Sequence, residues 1–347
     1  MLKFDTYTVE SVTSGHPDKM CDQISDAIVD ACLKEDPKSR VAIECLGAHG
    51  LLVIGGEVTT KANFDAEKIA RRIYRKIGYQ DRLRIITDIV KQSPDIAQGV
   101  DTGGAGDQGI MYGYATNETK EYLPLGVVLV HKLTKGLEKL RKSGEIKWLG
   151  PDGKAQVTIM KGKVKTVLVS AQHSKEVGIR DIKKTLKEKL IKPLGINSST
   201  KILINPTGKF VLGRFVADTG LTGRKIMVDT YGGMIPHGGG CFSGKDPTKV
   251  DRSAAYMARY TAKNIVARGL ANKCLVSVSY AIGKAKPLMM EAVDEKGNNL
   301  SDYVLKNFDF KPLSIIKKLK LRNPIYEKTA SYGHFGKSYL PWEKIYH

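Results

Sequence analysis

Several short segments of the sequence combine glycine with acidic, basic and histidine side chains. Residues 15–18 read Gly-His-Pro-Asp, residues 104–109 read Gly-Ala-Gly-Asp-Gln-Gly, and residues 239–245 read Gly-Gly-Cys-Phe-Ser-Gly-Lys. Backbone amides of glycine-rich segments and neighbouring lysines can cradle an anion. These segments are therefore candidates for an anion-binding site.

Two of these segments resemble common nucleotide motifs without meeting their structural context. Residues 104–109 fit G-x-G-x-x-G, but the preceding stretch is polar and residues 110–112 continue as a strand, which argues against a dinucleotide-binding fold. Residues 239–245 fit G-x-x-x-x-G-K, but Asp246 stands where a P-loop has Ser or Thr. We expect Asp246 to cap the next helix and Pro247 to open it. The loop is then an anion cradle rather than a plain surface turn.

The composition places the chain among globular proteins. Of its 347 residues, 41% are hydrophobic and 27% charged, and no apolar run approaches the ~20 residues of a membrane-spanning helix. The first residues lack the features of a signal peptide, and the five cysteines are odd in number with no Cys-x-x-Cys pair. We expect a cytoplasmic protein with reduced thiols.

The formal net charge of +20 has two interpretations. One is binding to nucleic acid through phosphate contacts. The other is a solvated basic surface, which the distribution favours because the lysines are spread over many segments, opposite the apolar positions of predicted helices. No basic motif interleaved with aromatic residues is present. A positive field also attracts an anionic substrate.

Hydrophobic periodicity predicts an α+β chain. Helices are expected over residues 17–33, 64–77, 126–142, 182–191 and 250–268, and hairpins over 41–45 with 51–58 and over 156–160 with 164–171. A further strand is expected over 275–281. This recurring pattern of a strand pair and a helix suggests similar subunits, each a β-sheet covered by helices on one face. Breaks fall near residues 93–106 and 213–222.

The motifs of the whole chain, read in order, resemble those of the S-adenosylmethionine synthetases of the bacterial and eukaryotic type. They include ESVTSGHPDK at 10–19, GGEVTT at 55–60, KQSPDI at 91–96, MYGYATNET at 111–119, INPTG at 204–208, GLTGRK at 220–225, DTYGG at 229–233, HGGG at 237–240 and SGKDP at 243–247. The resemblance implies three similar domains with pseudo-threefold symmetry, which we place at residues 1–99, 104–214 and 215–347. It also implies a homodimer with active sites at the subunit interface, often paired into a homotetramer.

The resemblance implies a reaction in two stages. The sulfur of L-methionine attacks the 5′ carbon of ATP and displaces triphosphate, which is then cleaved to pyrophosphate and phosphate. The cofactors implied are two Mg²⁺ ions per site, bound by Asp18 and Asp251, and one K⁺ ion, bound by Glu44. The catalytic residues implied are His16, Lys154, Arg224 and Lys245. His16 is expected to hydrogen-bond the leaving oxygen rather than act as a base, because the attacking sulfur carries no proton.

The remaining roles also come from the resemblance. The residues expected to bind ATP beside the catalytic set are Asp107, Asp152, Lys209, Phe210, Lys225 and Cys241, and those expected to bind methionine are Glu57, Gln92, Asp218 and Lys249. Taken alone, Asp18 is equally a first-turn carboxylate and His16 a helix-terminal residue. Residues 92–107 correspond to a mobile gating loop.

The chain departs from the family pattern at three places. The gating segment is shorter between residues 101 and 104, residues 214–218 replace a stretch that usually contains glycine and proline, and Cys241 stands where a small residue is usual. An exposed thiol at Cys241 would make activity sensitive to oxidation. Two other functions stay open from sequence: a phosphotransferase using residues 239–245, and a basic nucleic-acid-binding protein without turnover.

Overall fold

The computed structural model describes residues 5–91, 103–197 and 199–346 and has an α+β architecture built from three sheets. Most of the predicted gating segment, and Gln92 with it, lies outside the described residues. The strands are β1 (Thr6–Val12), β2 (Arg40–Ala48), β3 (Leu51–Thr59), β4 (Arg84–Val90), β5 (Gly109–Thr116), β6 (Leu149–Met160), β7 (Lys163–His173), β8 (Lys201–Ile204), β9 (Gly220–Leu221), β10 (Lys273–Tyr280) and β11 (Met289–Asp294).

The helices agree with the predicted periodicity in most places. They are α1 (Pro17–Glu35), α2 (Ala66–Ile77), α3 (Leu125–Lys142), α4 (Ile179–Leu186), α5 (Arg214–Ala217), α6 (Ile226–Asp229), α7 (Val250–Ala267), α8 (Ser301–Asn307) and α9 (Pro312–Lys318). The helix expected over residues 182–191 begins three residues earlier, and its last turn, Lys187–Ile191, is a π-helix. No helix of the described ranges has the length and apolar character needed to cross a bilayer.

The three sheets exchange strands in a cycle. One sheet has the order β1-β6-β7-β8, the second β11-β10-β5, and the third β4-β3-β2-β9. The first strand of the chain therefore pairs with the central strands, the first central strand pairs with the C-terminal strands, and the short β9 pairs with the N-terminal hairpin. Each sheet thus contains a strand from a neighbouring part of the sequence, which ties the three parts into one structure.

One long helix packs on each sheet. Helix α3 lies on β1 and β6, α7 lies on β5 and β10, and α1 lies on β2 and contacts α2 and β9. Helix α1 differs from an ordinary amphipathic helix because its buried residues include Asp18, Lys19, Asp22 and Asp26 beside the apolar Met20, Ile24 and Ile28. Buried charges need partners. Asp18, Asp22 and Asp26 each accept from a residue of the glycine-rich segments 220–225 and 239–245, which brings these segments to this helix.

Candidate active site

The first turn of α1 places His16 and Asp18 side by side. Pro17 occupies the first helical position, where its missing N–H is not needed, and His16 is the N-cap. The His16 Nδ1 accepts a hydrogen bond from the Asp18 backbone amide at 3.2 Å. A ring nitrogen that accepts has no proton, so the neutral ring carries its proton on Nε2. Within the described part of the chain, the buried Nε2 has no hydrogen-bond partner.

His16 is a neutral donor at physiological pH. Burial, together with the positive charges of Lys225 and Lys154, lowers its pKa to about 3. Lys154 lies on β6 opposite Val12, at the end of β1 that leads into this turn. The arrangement therefore offers an N–H group beside two ammonium groups, which suits a substrate oxygen on which negative charge develops. It does not suit proton abstraction near neutral pH.

Asp18 joins α1 to the segment 220–225. Its Oδ1 accepts from the Leu221 amide at 2.9 Å, its Oδ2 accepts from Lys225 Nζ at 2.6 Å, and Arg224 Nε lies 3.5 Å from Oδ1. Burial opposes ionisation of the carboxyl, but the hydrogen bonds from Lys225 and Leu221 outweigh it and hold its pKa below the usual value. Asp18 is thus an ionised carboxylate held between two cations.

A second carboxylate–lysine pair forms at the glycine loop. Lys245 Nζ donates to Asp251 Oδ2 at 2.6 Å. The Asp251 side chain lies so close to the loop that a Cβ atom on Gly240 would be 2.2 Å from Asp251 Oδ1. The Asp251 carboxylate therefore packs directly against the loop at Gly240, and it has room there because glycine has no Cβ atom.

The helix that follows this loop begins at Val250, as the periodicity predicted, but the predicted roles of Asp246 and Pro247 at its start are wrong. Helix α7 starts at Val250 with Lys249 as its N-cap, so Asp246 and Pro247 neither cap nor open it. Asp246 instead accepts from the Val41 amide at 2.7 Å and the Thr248 amide at 2.8 Å, and it pairs with Lys249 Nζ at 2.5 Å. Its buried carboxylate attaches the loop to β2, and that contact takes precedence over capping.

Asp152 is a buried carboxyl near the first cluster. It is 6% exposed and its Oδ1 has no partner among the described residues. Burial raises its pKa to about 7, although the amides of Gly153 and Arg214 and the charge of Lys154 oppose this, and the nearby Asp218 adds to the rise. A buried carboxyl with one oxygen that lacks a hydrogen-bond partner is suited to accept hydrogen bonds from the hydroxyl groups of a ligand.

Glu44 and Glu57 lie on the open face of the hairpin β2–β3. Glu57 is opposite Ala42 and Glu44 is opposite Gly55, and residues directly opposite each other share a face. Glu44 is exposed and Glu57 half-buried. Over the described ranges, no hydrogen bond or ion pair joins Glu57, Asp218 and Lys249: Asp218 accepts from the Thr219 amide and Lys249 pairs with Asp246.

The other predicted residues surround these clusters at the surface. Asp107 is exposed and accepts from the Gln108 amide, and its charge acts on Lys245. Lys209 is exposed and Phe210 half-buried, with the Phe210 amide donating to His173 Nε2 at 3.0 Å. Their contribution to a nucleotide site stays a prediction.

Cys241 lies against the segment 220–225. A Cβ atom on Gly223 would be 2.9 Å from its Sγ. The thiol is half-buried, and burial raises its pKa above the usual value although Lys245 opposes this. Because the thiolate is the reactive form, Cys241 is less reactive at neutral pH than a free cysteine. The exposed thiol considered from the sequence is not what the structure has.

Metal binding was tested against the donor atoms present. No group of three or more His, Cys, Asp or Glu side chains suited to a metal ion occurs within the described ranges. Mg²⁺, however, is typically held by one or two carboxylates while phosphate oxygens and water complete its shell. Asp18 and Asp251 fit this mode, since each is a carboxylate beside the cations that would also contact a polyphosphate.

The sequence analysis did not identify the residues that hold the loops. Asp22 accepts from the Gly223 amide at 2.8 Å, and Asp26 accepts from the Gly244 amide at 2.9 Å. A signal for them existed: acidic residues at 18, 22, 26 and 30 are spaced by four within one helix, which places them along one row. The motif resemblance assigns a role only to Asp18.

Fold and site together define a class of protein: an α+β protein in which carboxylates and cations from separate loops meet at one buried helix. Sequence patterns of three domains match consecutive stretches, namely S-adenosylmethionine synthetase N-terminal domain over residues 5–94, central domain over 102–210 and C-terminal domain over 212–344. The chain belongs to the S-adenosylmethionine synthetase family, whose members are methionine adenosyltransferases.

Curated relatives agree with the domain matches over the full length. The chain is 51% identical to the S-adenosylmethionine synthase of Pseudothermotoga lettingae, with 98% of the chain and 96% of the relative covered. It is 49% identical to that of Petrotoga mobilis, covering 99% and 97%, and 51% identical to that of Mesoplasma florum, covering 98% and 97%. Both the family and the three-domain α+β fold expected from the sequence are confirmed.

Proposed function

We propose that this protein makes S-adenosylmethionine from ATP and L-methionine in two stages. In the first, the methionine sulfur forms a bond to the ATP 5′ carbon while the bond from that carbon to oxygen breaks and releases triphosphate. In the second, water cleaves the triphosphate to pyrophosphate and phosphate. The observation that carries the proposal is the pair of cation-bearing loops, 220–225 and 239–245, hydrogen-bonded to the helix that carries Asp18.

The cations of this chain act on the leaving group. Lys225 and Lys245 are hydrogen-bonded to Asp18 and Asp251, and Arg224 lies 3.5 Å from Asp18, so the three cations are already gathered beside the carboxylates before substrate arrives. Cations placed in this way stabilise the charge that develops on the triphosphate. Lys154, next to the His16 turn, adds a fourth positive charge. The first stage needs no base because the sulfur is unprotonated, and the neutral Nε2–H of His16 is suited to donate to the departing oxygen.

The metal ions fit the same arrangement. Asp18 and Asp251 would hold Mg²⁺ together with phosphate oxygens, after the lysines that now pair with them turn toward the substrate. When bound, Mg²⁺ neutralises phosphate charge and orients the polyphosphate. Glu44 is the proposed K⁺ ligand.

The substrates are assigned to the remaining residues. Asp107, Asp152, Lys209, Phe210 and Cys241 are proposed for the nucleotide, and Glu57, Gln92, Asp218 and Lys249 for methionine. Glu57, Asp218 and Lys249 make no hydrogen bond or ion pair with one another in the described part of the single chain, and we propose that a second subunit completes the methionine site.

The second subunit is proposed to be another copy that covers the open face of the β4-β3-β2 sheet. Leu46, Val53 and Ile86 are consecutive cross-strand partners and form an apolar row there. Leu46 and Ile86 are 40% and 42% exposed in the single chain. Exposed apolar rows of this kind are typical of interfaces, and a twofold axis would place each row against its copy. The finer assembly proposed is a homotetramer of two such dimers, acting in the cytoplasm.

An ATP analogue separates this function from phosphotransfer. With adenylyl imidodiphosphate, methionine, Mg²⁺ and K⁺, the enzyme should form S-adenosylmethionine and release intact imidotriphosphate, because the first stage breaks only the bond at the 5′ carbon. Chromatography with mass detection measures both products. A phosphotransferase would give no S-adenosylmethionine with this analogue and would give ADP with ATP, which would contradict the proposal.

A further inference from the structure

Four aspartates of α1 form a ladder that binds backbone amides of distant segments. Asp18, Asp22, Asp26 and Asp30 are spaced by four residues, so they follow one row along the helix. Asp18 and Asp22 accept from the amides of residues 221 and 223, Asp26 accepts from the amide of residue 244, and Asp30 accepts from those of residues 326 and 327, all at 2.8–2.9 Å. We call this row the aspartate ladder.

The two middle aspartates of the ladder lie directly behind the substrate-facing cations. Gly223 precedes Arg224 and Lys225, and Gly244 precedes Lys245. Asp22 and Asp26 are fully buried, so neither touches a substrate itself. Their hydrogen bonds end one residue before the side chains assigned to the triphosphate.

The two loops pack tightly against α1 and β2 at their glycines. A Cβ atom on Gly220 would be 2.4 Å from the Pro17 carbonyl, and one on Gly244 would be 1.9 Å from the Ile43 carbonyl oxygen. Gly244 also has a φ of 83°, which favours glycine. The amide contacts to the ladder therefore define the position of the cations.

Arg252 holds the second loop from its other side. Its guanidinium donates to Asp26 Oδ1 at 2.5 Å and, through Nε, to the Phe242 carbonyl at 2.7 Å. The turn 242–244 is thus bound through its carbonyl by Arg252 and through its amide by Asp26. Lys19 neutralises Asp22 in the same way, at 3.0 Å.

We propose that Asp22 and Asp26 are positioning residues for the reaction: they hold the Gly223 and Gly244 amides and so fix Arg224, Lys225 and Lys245 in one arrangement around the triphosphate. Charge-assisted hydrogen bonds are stronger than neutral ones, which suits loops that must resist the pull of a charged substrate. The inference rests on the proposed function for the identity of the substrate.

Three isosteric variants give a matched test, because the aspartates use their oxygens differently. In Asp22 and Asp30 both oxygens accept, whereas in Asp26 Oδ1 accepts both bonds and Oδ2 has no partner in the described part of the chain. Asp26→Asn can therefore keep its contacts. In Asp22→Asn the single oxygen turns to the Lys19 ammonium, which leaves the amide nitrogen against the Gly223 N–H. Asp30→Asn loses one contact of the same kind, away from both loops.

For each variant, kcat/KM for ATP, KM for methionine and the unfolding temperature are measured. Calorimetry measures the binding of inorganic tripolyphosphate. Hydrogen exchange is followed in peptides covering residues 219–226 and 239–246. Asp22→Asn should lower kcat/KM for ATP by roughly 10- to 100-fold, because misplaced catalytic groups cost about this much. Exchange at 219–226 should be faster and KM for methionine unchanged. Asp26→Asn and Asp30→Asn should keep kcat/KM within about 3-fold of wild type, and Asp26→Ala should lose activity as Asp22→Asn does.

Two results would overturn the inference. If Asp30→Asn, at an equal loss of unfolding temperature, lowers kcat/KM as much as Asp22→Asn, the ladder has only a structural role. If Asp26→Asn is worse than Asp22→Asn, buried charge balance matters rather than loop position. Failure of the proposed function is distinguishable, since wild type itself would then form no S-adenosylmethionine, while tripolyphosphate binding and exchange would still report on the loops.

Discussion

The backbone amide of Asp18 donates to Nδ1 of His16 at 3.2 Å, which fixes the imidazole proton on the buried Nε2. Nδ1 of the ring thus caps the helix, and Nε2 is left to donate to the substrate. His16→Asn should keep the cap, because the asparagine oxygen accepts from the same amide, and should lose the donor. We expect the single-turnover rate of S-adenosylmethionine formation to fall by roughly 10²- to 10³-fold, as on removal of one oxyanion donor.

The pH dependence of the wild type supplies the control for this variant. Because the pKa of His16 is lowered to about 3, ionisation of this residue should not affect the wild-type rate between pH 6 and pH 9. The NMR chemical shifts of the ring should show that it is neutral throughout this range. A His16 titration near pH 6.5 that matches a change in rate would assign it a role in proton transfer instead.

Asp152 should make the unliganded protein less stable as the pH rises. Its pKa is about 7 when folded and about 3.9 in an unfolded chain, so the folded protein holds this proton more tightly. The stabilising contribution is full below pH 3.9 and is lost as the pH rises through about 7. At pH 8, Asp152→Asn should therefore have a larger free energy of unfolding than wild type, by up to about 4 kcal/mol, and should unfold at a higher urea concentration.

The same variant should bind ATP more weakly, because the carboxylate proposed to accept from the nucleoside is gone. Urea unfolding at pH 5 and pH 8 and calorimetric titration with ATP measure the two effects. The account of Asp152 would be wrong if the variant is less stable than wild type at pH 8 and binds ATP normally.

Gly240 should be required for the position of Asp251. A Cβ atom there would lie 2.2 Å from Asp251 Oδ1, so Gly240→Ala must displace the carboxylate. We expect a loss of about 10²-fold in kcat/KM for ATP with little change in unfolding temperature. Gly178→Ala is the matched control, since its nearest atom would be 3.6 Å away. If both variants are equally active, the position of Asp251 is not important for the reaction.

The open face of the β4-β3-β2 sheet should form the dimer interface. Ile86→Glu places a charge in the apolar row and should shift the sedimentation profile toward monomer at micromolar concentration, with loss of synthesis. Leu305→Glu is the control, because Leu305 is 62% exposed on α8 and away from that sheet. If Ile86→Glu sediments like wild type and stays active, the interface lies elsewhere.

Much of the fold follows from local sequence, and the site only partly so. Periodicity places α1, α3 and α7 and the hairpin β2–β3 because their apolar spacing is regular and their ends carry proline or glycine. The exchange of strands between the three sheets does not follow from local sequence, because β1 pairs with β6, which lies more than a hundred residues away. Such pairing depends on tertiary packing rather than local spacing.

The residues of the candidate site were also predicted only in part from the sequence. His16, Asp18, Arg224 and Lys225 were predicted from motifs, and the structure places them together. Asp246 was expected to cap a helix, but its carboxylate binds the Val41 amide instead. Asp22 and Asp26 were missed because a buried aspartate cannot be told from a surface one without knowing what covers the helix.

The most direct test of the proposed reaction is a product assay on the wild-type protein. It is incubated with ATP, L-methionine, Mg²⁺ and K⁺, and S-adenosylmethionine, pyrophosphate and phosphate are measured in one sample. We predict equal amounts of all three and none without methionine. Phosphate with ADP, and no S-adenosylmethionine, would contradict the assignment of the cation-bearing loops to triphosphate displacement.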